Sequence, residues 1–276
     1  MRNRLFQLLL AAAILAPCSA LFAQSGGSVI TPTVQTGFLI GPVGGINLVA
    51  YNSDQFPILN SEPKCFMAQN GSDVAPWGGI SFEYPLGNAN ELQNFIVAEV
   101  LYDSKSSKFT NVLANAVTTP TKKNGVAAEG TVNTSLDASL AYLDLFVGYK
   151  YNFTPGPSPV GPGIQVGPTV GMKMAANFNK TVTVTASSGN SSNPVATASV
   201  TQTTAVTGLA PDNSTQAAAI RLAFRAAATY DIPFSQEWIG TPVVGYDFPI
   251  TKVENSRNWR ASSLFGGIAF RYYIRG

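Results

Sequence analysis

The side chains able to do acid–base or metal chemistry are few and unevenly chosen. The 276 residues hold 17 Lys+Arg, 15 Asp+Glu, two cysteines and no histidine. Without histidine the commonest general base and metal ligand is missing, and any Ser-His-Asp triad with it. Zinc sites built on His or Cys clusters are excluded by the same composition. No G-x-x-x-x-G-K-[ST], G-x-G-x-x-G or G-x-S-x-G run occurs. Glu83 and Glu99 could in principle form a carboxylate pair for glycoside hydrolysis. A structural role is the more economical reading. Glu83, Lys173, Arg221, Arg225, Asp247 and Arg271 all fall on the minor face of alternating segments, where the flanking positions are mostly Gly, Ala, Ser and Thr. Charges enclosed together must neutralise one another or cost several kcal/mol each. The expectation is therefore a salt-bridge network, with Glu99 and Asp144 balancing the remainder. Catalytic residues, cofactor and metal are expected to be none.

The elements that must position those charges have a period of two. From Ile164 to Phe178 apolar residues alternate with small or polar ones, as a strand with two distinct faces requires. The pattern recurs at Ile80–Leu86, Leu143–Phe153, Ile220–Tyr230, Val244–Ile250 and Leu264–Tyr272, and more weakly at Phe38–Leu48 and Ile96–Tyr102. Gln216 to Tyr230 is alanine-rich and could also be an amphipathic helix with Arg221 and Arg225 one turn apart. The strand is favoured, since losing it leaves an odd strand count. A change of phase near Ala141–Asp144 suggests a bulge.

Alternation alone also describes a soluble sandwich, but the longer runs suit membrane strands of ~9–11 residues better than the usual ~5–6. Charged residues make up 12% of the chain, about half the ~25% of an average soluble domain. Mean hydropathy is only +0.13. No stretch after the N-terminus reaches the ~20 apolar residues of a spanning helix. The connections alternate in length. Segments 49–77, 103–130 and 179–215 read as long loops, and 251–258 as a moderate one. The first of the long loops holds Cys65. The second has room for an extra hairpin around Asp103–Lys108. The third is a Thr/Ser/Asn/Ala-rich segment expected to be mobile. Turns at 87–91, 154–163 and 233–239 are short. Long loops on one side and short turns on the other are the layout of an outer-membrane barrel. The fold class expected is all-β: an eight-stranded antiparallel up-and-down transmembrane β-barrel, its narrow lumen filled by side chains.

Arg2 and Arg4, the apolar stretch Leu5–Ala16 and the small residues before Gln24 make residues 1–23 a signal peptide. Cys18 follows Pro17, a poor context for lipoprotein processing. Residues 24–36 are expected as a short periplasmic segment and 37–276 as the barrel. Cleavage after Ala23 removes two arginines and leaves 15 basic against 15 acidic residues. Bulk charge then offers nucleic acid no attraction. Cys65 becomes the one remaining thiol, so no intramolecular disulfide can form.

Three stretches carry a family likeness. They are Gly44-Gly45-Ile46-Asn47-Leu48 with the polar segment that follows, Gly78–Leu86 ending on Pro85-Leu86, and the C-terminal Gly266-Gly267-Ile268-Ala269-Phe270-Arg271-Tyr272. Together they resemble small outer-membrane β-barrel domain proteins of the OmpA/OmpX-like and PorT-like kind. The resemblance implies residence in the bacterial outer membrane, contact with its lipid, and handling by the barrel-assembly machinery. Gly267, Phe270 and Tyr272 would form the C-terminal assembly signal, although this chain continues through Tyr273 to Gly276. The function implied is non-enzymatic, structural in the envelope or adhesive through the loops. A small-solute channel and a secreted soluble β-sandwich binding protein are the alternatives. The extracellular partner is unknown.

Overall fold

Where a strand has lipid on one side and packed side chains on the other, only alternation satisfies both faces. That alternation organises the computed structural model, which describes residues 37–57, 67–87, 92–113, 129–155, 160–187, 197–206, 217–253 and 259–275. Residues 1–36, expected as signal peptide and periplasmic segment, and Cys65 lie outside the described residues.

The described residues form ten strands in chain order: β1 (Gly37–Pro57), β2 (Met67–Leu86), β3 (Asn94–Ser104), β4 (Ser107–Leu113), β5 (Glu129–Asn152), β6 (Gly161–Ser187), β7 (Thr197–Val206), β8 (Ile220–Pro233), β9 (Trp238–Pro249) and β10 (Trp259–Arg275). Every pairing is antiparallel, and the order β1-β2-β3-β5-β6-β8-β9-β10 closes where β10 pairs with β1. Eight staves thus form a barrel, and closure leaves no backbone edge in lipid. The alanine-rich segment is strand β8, with buried and exposed residues alternating along it. The β5–β6 ladder shifts register between Ala141 and Tyr142.

The remaining two strands correct the reading of the loops. β4 pairs with β5 and touches β2 at Ser72↔Lys108, running on in the direction of β3. Asp103–Lys108 is therefore a bend within one stave, not a separate hairpin. β7 pairs back on the far end of β6 from Phe178↔Val206 to Ser187↔Thr197. Much of 179–215 is therefore a regular β-hairpin rather than a mobile loop. The 49–77 segment is likewise mostly strand, since β1 reaches Pro57 and β2 resumes at Met67.

These segments looked like loops for a physical reason. Above the bilayer a strand's outward face meets water and needs no apolar residues. β5 shows the change: Asp137 and Ser139 are its outward residues above the membrane, and Leu145, Val147 and Tyr149 are those within it. Its inward residues stay buried throughout, from Ala138 and Leu140 to Phe146 and Lys150.

The outer belt is apolar. Ile46, Ile80, Val100, Leu145, Val170, Leu222, Phe248 and Ile268 are all exposed. Aromatic residues gather at its periplasmic edge, where Trp238 meets Tyr272 with ring centroids 5.1 Å apart and Phe234 stacks on Phe270 at 6.2 Å. Such girdles mark the membrane interface.

Candidate functional site

Inside the staves the lumen is a core built in layers. At the periplasmic end Leu39, Leu92, Phe95, Val97, Phe146, Ile239 and Tyr273 pack together. At the extracellular end Tyr51, Phe109, Tyr142 and Trp259 pack with Val49, Leu140 and Val253. Tyr51 lies 5.1 Å from Trp259 and 5.8 Å from Phe109, measured between ring centroids. The charges stand between these apolar caps, in two clusters.

The lower cluster is a closed ring. Lys150 Nζ lies 3.2 Å from Glu83 and 2.7 Å from Asp231. Arg271 pairs with the same two carboxylates, with its Nη2 3.5 Å from Asp231. Thr241 Oγ1 and Asn152 Nδ2 also donate to Asp231, at 2.6 and 3.0 Å. Two cations and two anions alternate, so the ring is neutral.

The upper cluster is an alternating chain: Asp144, Arg221, Asp103, Lys105, Asp247, Arg225, Glu99. Lys105 Nζ lies 2.8 Å from Asp103 and 3.1 Å from Asp247, and donates to Ser263 Oγ at 2.6 Å. Arg225 Nε meets Asp247 at 2.9 Å and Nη1 meets Glu99 at 3.3 Å. Its guanidinium sits over Phe265, 4.5 Å from the ring centroid, and closer to it than to Trp77 or Phe146. Carboxylates end the chain on both sides, and neutral donors, Ser81 and Gln165, complete Glu99 at 3.4 Å each.

All these side chains are withdrawn from solvent. Lys105, Lys150, Asp103, Asp144, Asp231 and Asp247 are each 0% exposed. A cavity of about 10 Å³ lies among them, bounded by Ser81, Glu99, Gln165, Arg225, Thr229 and Arg271. That holds about one water molecule.

The structure brings Glu83, Arg221, Arg225, Asp247 and Arg271 into these clusters, together with Glu99 and Asp144. It leaves Lys173 apart. That side chain is only part-buried at the extracellular rim and donates to the Ala217 carbonyl at 2.8 Å, with no carboxylate partner among the described residues. Its place in the ladder explains the difference: Lys173 is opposed by Tyr142 of the extracellular cap, one inward position beyond the Asp144↔Gly171 pair, and the ladder skips Met174 just above it.

Sequence reasoning missed Lys105, Lys150, Asp103 and Asp231. Lys150 had a visible signal, since it falls on the minor face of the Leu143–Phe153 alternation. Of the C-terminal residues, Phe270 faces outward in the aromatic edge, as does Tyr272. Gly267 faces inward. A Cβ there would collide with the Gly44 carbonyl oxygen and lie 2.8 Å from Trp77 Cζ2, so the glycine lets the β1 backbone and the indole come close. Among the described residues no group of three or more His, Cys, Asp or Glu is placed to hold a metal ion.

Antiparallel staves that close on themselves, paired and dry within and apolar without, satisfy both faces in one solvent, the lipid bilayer. In class this is a transmembrane β-barrel. The chain matches the family described as outer membrane protein beta-barrel domain over residues 22–253, and it belongs to that family. The protein is accordingly one of the bacterial outer membrane. No curated protein sequence matches it significantly.

Solved structures similar to it include Ail, the attachment invasion locus protein of Yersinia pestis, crystallised with the heparin analogue sucrose octasulfate. Identity there is 8% and the TM-score 0.31, covering 86% of this chain and 99% of that one. Neisserial surface protein A gives 10% identity and 0.31, covering 87% and 98%. A mutant of TodX, a monoaromatic hydrocarbon channel, gives 6% and 0.23, covering 88% and 93%. Likeness at this level stands beside the family assignment and adds no role to it.

Proposed function

We propose that the protein is a non-enzymatic, non-conducting barrel whose work is done at the cell surface, by adhesion through its extracellular hairpins or by support of the envelope. The observation that carries this reading is the filled lumen. Two ion-paired clusters stand between apolar caps, and the cavity among them, about 10 Å³, has room for about one water molecule and not for a solute. Adhesion is favoured over envelope support because β6 continues past its last partner on β8, Met172↔Ile220, and carries a paired hairpin out to Ser187. A paired projection of that kind is unnecessary for a barrel that only fills membrane. The Ail and NspA barrels, a surface attachment protein and a surface protein by name, agree with this reading without supplying evidence for it.

The test compares cells displaying the whole chain with cells displaying a chain shortened between 180 and 205. Adhesion to surfaces should fall with the shortened chain while heat-modifiable gel mobility, the mark of a folded barrel, stays unchanged. Equal adhesion by both, with envelope sensitivity to detergent rising only when the barrel is absent, would contradict the adhesive role and leave the envelope role.

A further inference from the structure

β7 stands apart from the rest of the sheet. It ends the strand order and, among the described residues, its ladder is with β6 alone. A strand edge of this kind displays unpaired N–H and C=O groups, and proteins normally blunt it with Lys, Pro or a bulge. Here the guard is missing. From Thr181 to Pro211 the chain has no Asp, Glu, Lys or Arg, and β7 itself, Thr-Ala-Ser-Val-Thr-Gln-Thr-Thr-Ala-Val, has no proline. Six of its ten residues are Thr or Val, β-branched types that pair well across strands.

We propose that this edge pairs with the β7 edge of a second copy of the chain, held in an apposed outer membrane. The inference rests on the adhesive reading above and names its partner. Self-pairing is symmetric, and opposed residues in an antiparallel ladder share a face, so the two-fold axis must pass through a residue. Centred on Gln202, the register sets Thr201 against Thr203, Val200 against Thr204, Ser199 against Ala205 and Ala198 against Val206. Every pair is uncharged, so no like-charge repulsion opposes association of identical edges.

Geometry selects the apposed membrane. Copies side by side in one bilayer are related by an axis along the membrane normal. Strands tilted by ~35–45° in a barrel would then cross at roughly 80°. β6 carries the barrel's direction into the hairpin, so β7 inherits that tilt. Antiparallel pairing needs an axis across the strand, and such an axis relates copies on two facing surfaces.

The experiment displays the full chain, carrying Cys65→Ser and Gln202→Cys, on two cell populations with different epitope tags. Opposed Cα atoms in an antiparallel ladder lie ~4.5–5.5 Å apart, within disulfide reach. Mixing the populations under mild oxidation should give a dimer containing both tags. Ser199→Cys cells should not cross-link with one another, but should cross-link with Ala205→Cys cells. Replacing Thr201→Lys and Thr203→Lys sets two like-charge pairs face to face. Mixed-tag dimer and cell clumping should then fall about tenfold, with heat-modifiable mobility unchanged. Mixed-tag dimer that is absent, that forms only within one population, or that is indifferent to the lysines overturns the inference. Adhesion to other surfaces that persists without mixed-tag dimer overturns it too, and leaves the proposed function standing.

Discussion

Replacing Lys150 with methionine removes one corner of the lower charge ring and tests whether the lumen is held by paired charge. Lys150 Nζ touches both Glu83 and Asp231, and the side chains of all three residues are 0–2% exposed. Methionine keeps most of the volume, so little cavity forms. What changes is charge: two buried carboxylates are left to share Arg271. Removing one partner of a buried pair costs ~3–5 kcal/mol. Because Arg271 still reaches both acids, the lower bound applies. About 3 kcal/mol corresponds to a hundredfold shift in the folding equilibrium. Adding Glu83→Gln restores neutrality, and the double variant should recover at least about 1.5 kcal/mol, within the coupling range of contacting residues. The assay is urea unfolding of the protein refolded in lipid vesicles, followed by tryptophan fluorescence and by the fraction migrating as the folded band. A Lys150→Met variant within about 0.5 kcal/mol of the parent, or a double variant equal to the sum of the singles, would refute the reasoning.

Other consequences concern the membrane belt and the extracellular cap. Leu145 and Ser139 face outward on the same strand, the first within the belt and the second above it. Leu145→Arg should cost ~2–4 kcal/mol in vesicle unfolding, the range for a lipid-facing cation near the midplane. Ser139→Arg should stay within about 0.5 kcal/mol; equal effects would move the bilayer boundary. Phe109 is fully buried against Tyr51 and Trp259. Phe109→Ala should therefore lower stability by ~3–5 kcal/mol, measured in the same unfolding titration. A small effect would mean that the extracellular aromatics do not form a core.

Much of this architecture was legible before any coordinates. The alternation of Leu143 to Phe153 and of Leu264 to Tyr272 marks staves because lipid demands apolar residues on every outward position. The same rule picks out Arg221, Arg225 and Arg271 as inward charges. Legibility stopped at the bilayer boundary. Beyond it the outward positions become Ser, Asp or Asn, the contrast between faces weakens, and strands such as the upper halves of β1, β2 and β5 resemble loops. Lys105 was lost there, because its place in the lumen depends on a two-residue bend between β3 and β4 that leaves no mark in the pattern. Asp231 falls between the Ile220–Tyr230 alternation and the turn at 233–239, yet it takes four charged or polar donors in the lower ring. Lys173 erred in the opposite sense. It follows the period of two faithfully, but its partner in the ladder is Tyr142, in the extracellular cap beyond the charge chain.

The central claim is that the barrel is closed through its length by apolar caps and ion-paired charge. Planar-bilayer recording of the purified, heat-modifiable protein tests it most directly. The account expects no steady conductance above the bare membrane at neutral pH. A stable, reproducible open current from the parent chain would contradict it.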